Sequence, residues 1–261
     1  MDMKKIERQE QTVLRTLREK NTLTLAQVME LLDVSESTVR RLFVRLEERG
    51  VAIRRHGGIQ LLRENHTVDY LYEKVAGQSV QQKEQIARYA AQCVESGDVL
   101  YVDSGTTMAC FCSALAERLY LGQLGDLTVF TNSLVNLELL SPHVTVTLIG
   151  GEYRGNRRDF SGYLAEKMLD GLHFSKCFLG ADGFHSKYGF TATDFSTAHL
   201  NELVLNSTDR SYVVIDSSKF SVASVVCYSR GDTVYAVITD KMPPKPIVEQ
   251  LAELDIRLLL C

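Results

Sequence analysis

The chain has 261 residues, 45% hydrophobic and 24% charged, with four prolines; this is too apolar for a disordered protein and long enough for one or two domains with sizeable cores. The formal net charge of −4 argues, as a sum, against a nucleic-acid partner, and no run approaches the ~18 apolar residues of a membrane span. The opening residues, from Met1 to Arg8, are charged and lack the apolar stretch of a signal peptide, which predicts a cytoplasmic protein with no membrane partner.

The charge is not evenly spread. Residues 1–62 carry twelve Lys+Arg against nine Asp+Glu, a net of +3, and the remaining 199 carry a net of −7. The basic part reads as helical. Ile6, Val13, Leu14 and Leu17 recur at helical spacing and predict a first helix over about 4–19. Thr24 suits the N-cap of a second helix whose apolar face is Leu25, Val28, Leu31 and Leu32. After the short turn Asp33-Val34, Ser35 suits the N-cap of a third helix, with Glu36 near its positive end. There Val39, Phe43 and Leu46 face inward, Ser37, Arg40, Arg41, Val44 and Arg45 lie toward the other side, and Gly50 ends the helix.

Two short helices joined by a tight turn, the second rich in arginine, fit a helix-turn-helix whose second helix enters the DNA major groove. Small hydroxyls at Ser35, Ser37 and Thr38 let the backbone approach phosphates and base edges, and Arg40, Arg41 and Arg45 can pair with phosphates or guanine. The same face also suits a merely solvated basic helix. The β-capable runs 51–55 and 59–62 around His56-Gly57-Gly58 then predict a hairpin, a wing that places Arg54, Arg55 and His56 against the duplex.

The run from Val34 to Arg41, followed by Leu46-Glu47, Gly50 and Arg55-His56-Gly57-Gly58, resembles the N-terminal domain of DeoR-type bacterial transcriptional regulators. Where that family has Arg-Arg-Asp-Leu, this chain has Arg40-Arg41-Leu42-Phe43, so any salt bridge of the acidic residue is absent.

A connector over 63–81 follows; its Tyr70, Leu71 and Tyr72 suggest docking rather than free tethering. A helix is expected over 82–94. Seven strands are then predicted at 98–103, 127–131, 144–149, 175–180, 211–216, 234–239 and 255–260, with helices near 107–120, 133–140, 161–170 and 196–208. Continuous apolar strands alternating with helices imply a mostly parallel sheet covered on both faces, with ligands beyond the carboxyl ends of its strands. The polar clusters fall there: Asp103-Ser104-Gly105-Thr106-Thr107, Thr131-Asn132-Ser133, Gly150-Gly151 with Arg154, Arg157 and Arg158 beyond, Gly180-Ala181-Asp182-Gly183, and Asp216-Ser217-Ser218-Lys219-Phe220. Each also suits a capped turn or a solvated loop; a phosphate held by helix amides and hydroxyls is the functional alternative.

In order and spacing these clusters resemble the DeoR-type C-terminal sensor domain, which is similar in fold to ribose-5-phosphate isomerase. The resemblance implies an α+β winged helix-turn-helix over 1–62 and an α/β effector-sensing domain over 82–261. It further implies a phosphorylated sugar as effector, with Gly105, Thr106, Thr107 and Lys219 on the phosphate side and Asp103, Asn132, Asp182 and Gly183 on the sugar side. The expected protein is a repressor of a sugar-catabolism operon that binds a double-stranded DNA operator as a homo-oligomer, dimer or tetramer, without a cofactor. It is not expected to be an enzyme, since no general-base and electrophile pair is assignable around Lys219. Six cysteines without a CxxC pair or a Cys/His cluster of zinc spacing predict reduced, mostly buried thiols and no metal.

Overall fold

A computed structural model describes all residues except 1–8, 11, 15, 18–19, 21, 49–51, 56 and 62–69, and additionally not the side chains of 48, 53, 55, 60 and 61. The chain divides into two compact units, Met1–Thr67 and Val68–Cys261. Residues 70–81 of the expected connector therefore belong to the second unit, where Tyr72 is buried.

In the first unit, helical positions between 9 and 20 form α1; Ile6 and Gly50 lie outside the described residues. Helix α2 (Leu25–Leu32) opens with a capping box, in which the Gln27 amide donates to Thr24 Oγ1 (3.2 Å) and the Thr24 amide to Gln27 Oε1 (2.8 Å). It ends at Asp33, whose left-handed backbone (φ 50°) makes the tight turn. Helix α3 (Glu36–Glu48) buries Val39, Phe43 and Leu46 against Val13, Leu17 and Val28. Leu42 joins that core at 0% exposure, so the residue standing in place of the family's acid is packed rather than solvated. Strands β2 (Ala52–Arg55) and β3 (Gly58–Leu61) form the expected antiparallel hairpin, and β1 (Thr22–Thr24) adds a third strand. Gly58 is required there: a Cβ would stand 2.4 Å from the Leu23 carbonyl oxygen.

The second unit begins with α4 (Tyr72–Ala76) and α5 (Val80–Gln92). All seven expected strands are present, as β4 (Val99–Val102), β5 (Thr128–Thr131), β6 (Val146–Leu148), β9 (Phe174–Leu179), β12 (Thr208–Val214), β14 (Ala236–Thr239) and β15 (Arg257–Leu260). They form one parallel sheet in the order β15-β14-β12-β9-β4-β5-β6. Successive residues alternate between two cores: Tyr101, Cys177, Val213 and Val237 pack in one, Leu100, Val102, Phe178, Tyr212 and Ile238 in the other. Both faces are thus buried, which is why the strands read as continuous apolar runs. The expected helices appear as α6 (Thr106–Tyr120), α7 (Leu134–Leu140), α8 (Tyr163–Leu169) and α9 (Phe195–Leu205); α10 (Lys245–Glu253) is additional.

Two small sheets were not anticipated. One pairs β7 (Glu152–Arg154) with β8 (Asp159–Ser161); the other orders β10 (Gly183–His185), β11 (Gly189–Ala192) and β13 (Val226–Ser229). No helix of the described residues is long and apolar enough to cross a membrane.

Candidate functional site

The first unit presents a basic surface on α3. Ser35 and Ser37 are exposed, and Ser35 Oγ lies 3.1 Å from both Ser37 Oγ and Thr38 Oγ1, which orders the helix entrance. Arg40 is exposed but ion-paired one turn back with Glu36 (2.7 Å), a pair worth only a few tenths of a kcal/mol in solvent. Arg41 is exposed, donates to the Ser37 carbonyl (3.3 Å) and makes no ion pair among the described residues.

Two of the expected DNA-facing arginines also make ion pairs within the unit, with side chains 35% and 51% exposed. Arg45 Nε reaches Glu10 (2.8 Å) on α1, and that carboxylate is almost fully buried. Arg54 pairs with Glu47 (2.6 Å), while its own amide donates to the same carboxylate (3.0 Å). These two bonds hold Glu47 below the usual carboxylate range and tie wing to helix. The side chain of Arg55, and all of His56, lie outside the described residues.

In the second unit, a polar cleft opens at the carboxyl ends of the strands, where the strand order reverses about β4. Its walls come from Tyr70, Lys83, the 103–108 turn, Arg157, the 180–182 turn, Thr197 and Asn201 on α9, and Asp216, Ser218 and Lys219 beyond β12. Six of the eight sequence-derived effector residues meet there: Asp103, Gly105, Thr106, Thr107, Asp182 and Lys219.

Asn132 and Gly183 are not among the lining residues. The Asn132 amide points to the Phe160 carbonyl (3.1 Å), fastening β8. Gly183 is buried in β10, where a Cβ would stand 2.4 Å from the Val222 carbonyl oxygen; packing, not ligand contact, demands glycine.

Asp103, like Asp216, is a buried acid of the cleft. It accepts from the amides of Ser104 (2.7 Å) and Gly180 (3.2 Å). Burial pushes its carboxyl up to about 7, against the opposing pull of those bonds and of Arg157. Gly105 (φ 111°) opens α6, whose first amides have no carbonyl partner within the helix and face the cleft with Thr106 and Thr107.

Two cations stand on the same rim. Lys219 is half-buried and makes no ion pair among the described residues. Lys83 is buried, donates to the Val75 carbonyl (2.6 Å), and its ammonium is held below the usual lysine range chiefly by burial, with Lys219 adding to the effect. Lys83 was missed in the sequence because one lysine on an amphipathic helix reads as solvated.

Behind the cleft sits a buried ionic cluster. Arg154 grips Asp159 with two bonds of 2.7 Å and reaches Asp194 (2.8 Å); Arg157 approaches Asp159 (3.3 Å), and Ser104 Oγ donates to Asp159 (2.8 Å). Arg157 also underlies the Tyr70 ring, 4.1 Å from its centroid. Burial raises the Tyr70 phenol to about 12, so it stays neutral.

Residues 78–241 match the DeoR C terminal sensor domain, and residues 8–65 match the DeoR-like helix-turn-helix domain. A lactose phosphotransferase system repressor of Streptococcus mutans serotype c is 32% identical over 245 residues, covering 91% of this chain and 93% of that protein. One of the same name from Staphylococcus aureus strain N315 is 31% identical over 235 residues, 87% and 89% of the two chains. Among solved structures, ribose 5-phosphate isomerase A of Methanocaldococcus jannaschii is similar over 55% of each chain, at 18% identity and a TM-score of 0.42.

Proposed function

The chain belongs to the DeoR family, and from that premise we propose that it is a transcriptional repressor of a sugar-catabolism operon, released from its operator by a phosphorylated sugar bound in the cleft. The observation that carries this reading is the convergence of the α6 amides, Lys219 and Lys83 with Asp103 and Asp182 in one cleft, in a chain that also holds a winged helix with an exposed Arg41. The α6 terminus and the two lysines suit a phosphate; the carboxylates suit sugar hydroxyls. The relatives' names, lactose phosphotransferase system repressors, support a sugar operon as the target. A helix-turn-helix reads two half-sites through two copies, so the repressor acts as a homo-oligomer. Ser37, Thr38, Arg40 and Arg41 are assigned to DNA, and Arg45 and Arg54 to the frame that presents them.

The test is a gel shift against the DNA upstream of the neighbouring sugar operon at ~150 mM salt, since phosphate contacts dominate non-specific binding. Preferential binding over random DNA, relieved by at least one phosphosugar, is expected; equal binding to both sinks the reading. Arg41→Ala should cost about 1–3 kcal/mol and relax preference at one base position. A loss uniform across sequences would make Arg41 a phosphate contact.

Tyr70 supports a route between the two activities. It lines the cleft, stacks on Arg157 and stands three residues after Thr67, where the first unit ends. An effector that draws on Arg157 therefore acts on Tyr70, the first described residue of the second unit. Tyr70→Ala should leave operator affinity within about threefold while removing most of the effector's leverage, which typically amounts to about 1–3 kcal/mol. Titrating effector into the variant's operator complex checks this; wild-type release would exclude Tyr70 from the route.

A further inference from the structure

Helix α9 is buried along Thr197, Ala198, Leu200, Asn201, Val204 and Leu205, so Thr197 and Asn201, one turn apart, face the same way and both line the cleft. Thr197 is fully engaged: its hydroxyl donates to Asp194 (2.9 Å) and accepts from Arg154 (3.0 Å). Asn201 is not. It is 1% exposed, its Nδ2 makes a long 3.5 Å approach to Asp103 Oδ2, and its Oδ1 has no hydrogen-bond partner. Among the described residues it is the one cleft-lining side-chain atom that is both fully buried and unpartnered.

Several other polar groups of the cleft are taken. Ser104 is bound to Asp159, Arg157 to Asp159 and Thr193, Asp182 to the Thr193 amide, and Asp216 to Ser218. Buried polar atoms are nearly always satisfied, and an orphan acceptor is costly unless something else supplies a donor.

We infer that Asn201 is the specificity-determining residue of the cleft: its Oδ1 accepts a hydrogen bond from a sugar hydroxyl, so the site selects sugar phosphates that present a hydroxyl there over sugar-acid phosphates that present a carboxylate there. This rests on the phosphosugar reading above. A hydroxyl donates to Asn201 Oδ1 and satisfies the orphan. A carboxylate at the same place has no proton to give and leaves Oδ1 unsatisfied. A pocket built to hydrogen-bond a substrate hydroxyl rejects analogues lacking it more strongly than an apolar pocket rejects a change of size. Asp103 fits the same task, because its raised carboxyl meets the ligand partly protonated near neutral pH and avoids placing a full charge beside the amide.

The experiment is thermal-shift and calorimetric titration of the full chain with glucose 6-phosphate, fructose 6-phosphate, fructose 1-phosphate and ribose 5-phosphate, set against 6-phosphogluconate and inorganic phosphate. In the wild type, at least one sugar phosphate should bind ten times or more tightly than both inorganic phosphate and 6-phosphogluconate. Asn201→Leu should lose at least tenfold for that sugar phosphate and leave inorganic phosphate within twofold. Asn201→Ser, smaller and still polar, provides the same comparison should the leucine variant not fold.

Wild-type sugar affinity in both variants, or 6-phosphogluconate binding as well as the best sugar phosphate, overturns the assignment. Inorganic phosphate binding with no gain from any sugar overturns it too, and leaves the phosphate reading standing. Failure of inorganic phosphate and all sugars together refutes the phosphosugar reading itself.

Discussion

Asp159→Ala is expected to destabilise the second unit by about 3–5 kcal/mol. The carboxylate is fully buried and bridges Arg154 at 2.7 Å and Arg157 at 3.3 Å, with Ser104 donating at 2.8 Å. Removing it leaves two buried guanidinium groups facing each other with only Asp194 between them. Breaking a buried pair by deleting one partner costs this much because the remaining charge keeps its desolvation penalty and loses its attraction. For a unit of this size the melting temperature should fall on the order of 10 °C. Circular dichroism through the melt checks it, and a midpoint within 2 °C of wild type would show that Asp194 alone satisfies both arginines. The Ser104 turn loses its anchor in the same variant, so phosphosugar affinity should weaken as well.

Lys219→Ala is expected to lower affinity for the effector by about 10- to 100-fold. A hydrogen bond to a charged group contributes about 1.5–3 kcal/mol, and about 1.4 kcal/mol is tenfold in binding. Lys219 is half-buried on the rim of the cleft and makes no ion pair among the described residues, so truncation sacrifices little of the fold. Operator affinity without effector should be unchanged, and inorganic phosphate should lose in proportion to the sugar phosphate. Isothermal titration with both ligands reads this. Loss of the sugar phosphate alone would move Lys219 from the phosphate to the sugar.

The architecture was legible because its signals are local and periodic. Val39, Phe43 and Leu46 announce the inner face of α3 by spacing alone, and Thr24 announces a cap by its side chain. The continuous apolar strands announce a sheet covered on both sides, since no alternation survives when both faces are buried. The small sheets were silent because strands of three or four residues such as Glu152–Arg154 and Gly183–His185 carry too short a period to read.

The sites divide in the same way. Asp103, Gly105, Thr106, Thr107, Asp182 and Lys219 stand at ends of strands, and a parallel sheet gathers such ends along one edge, so their convergence follows from the strand order. That Arg45 reaches Glu10, 35 residues away, and Arg54 reaches Glu47, seven away, is visible only in the fold.

By itself, then, the sequence determined the two folds, the family and the strand-end residues, because those depend on periodicity and on residue types at turns. Only the tertiary structure decided which charges are spent on each other and which remain free. It paired Arg45 with Glu10 and Arg54 with Glu47, placed Asn132 and Gly183 outside the cleft lining, and set Lys83, Arg157 and Asn201 around the cleft. Pairing and burial are properties of distance in space, and residues as far apart in the chain as Asp103 and Asn201 share one environment only once the sheet and α9 are packed.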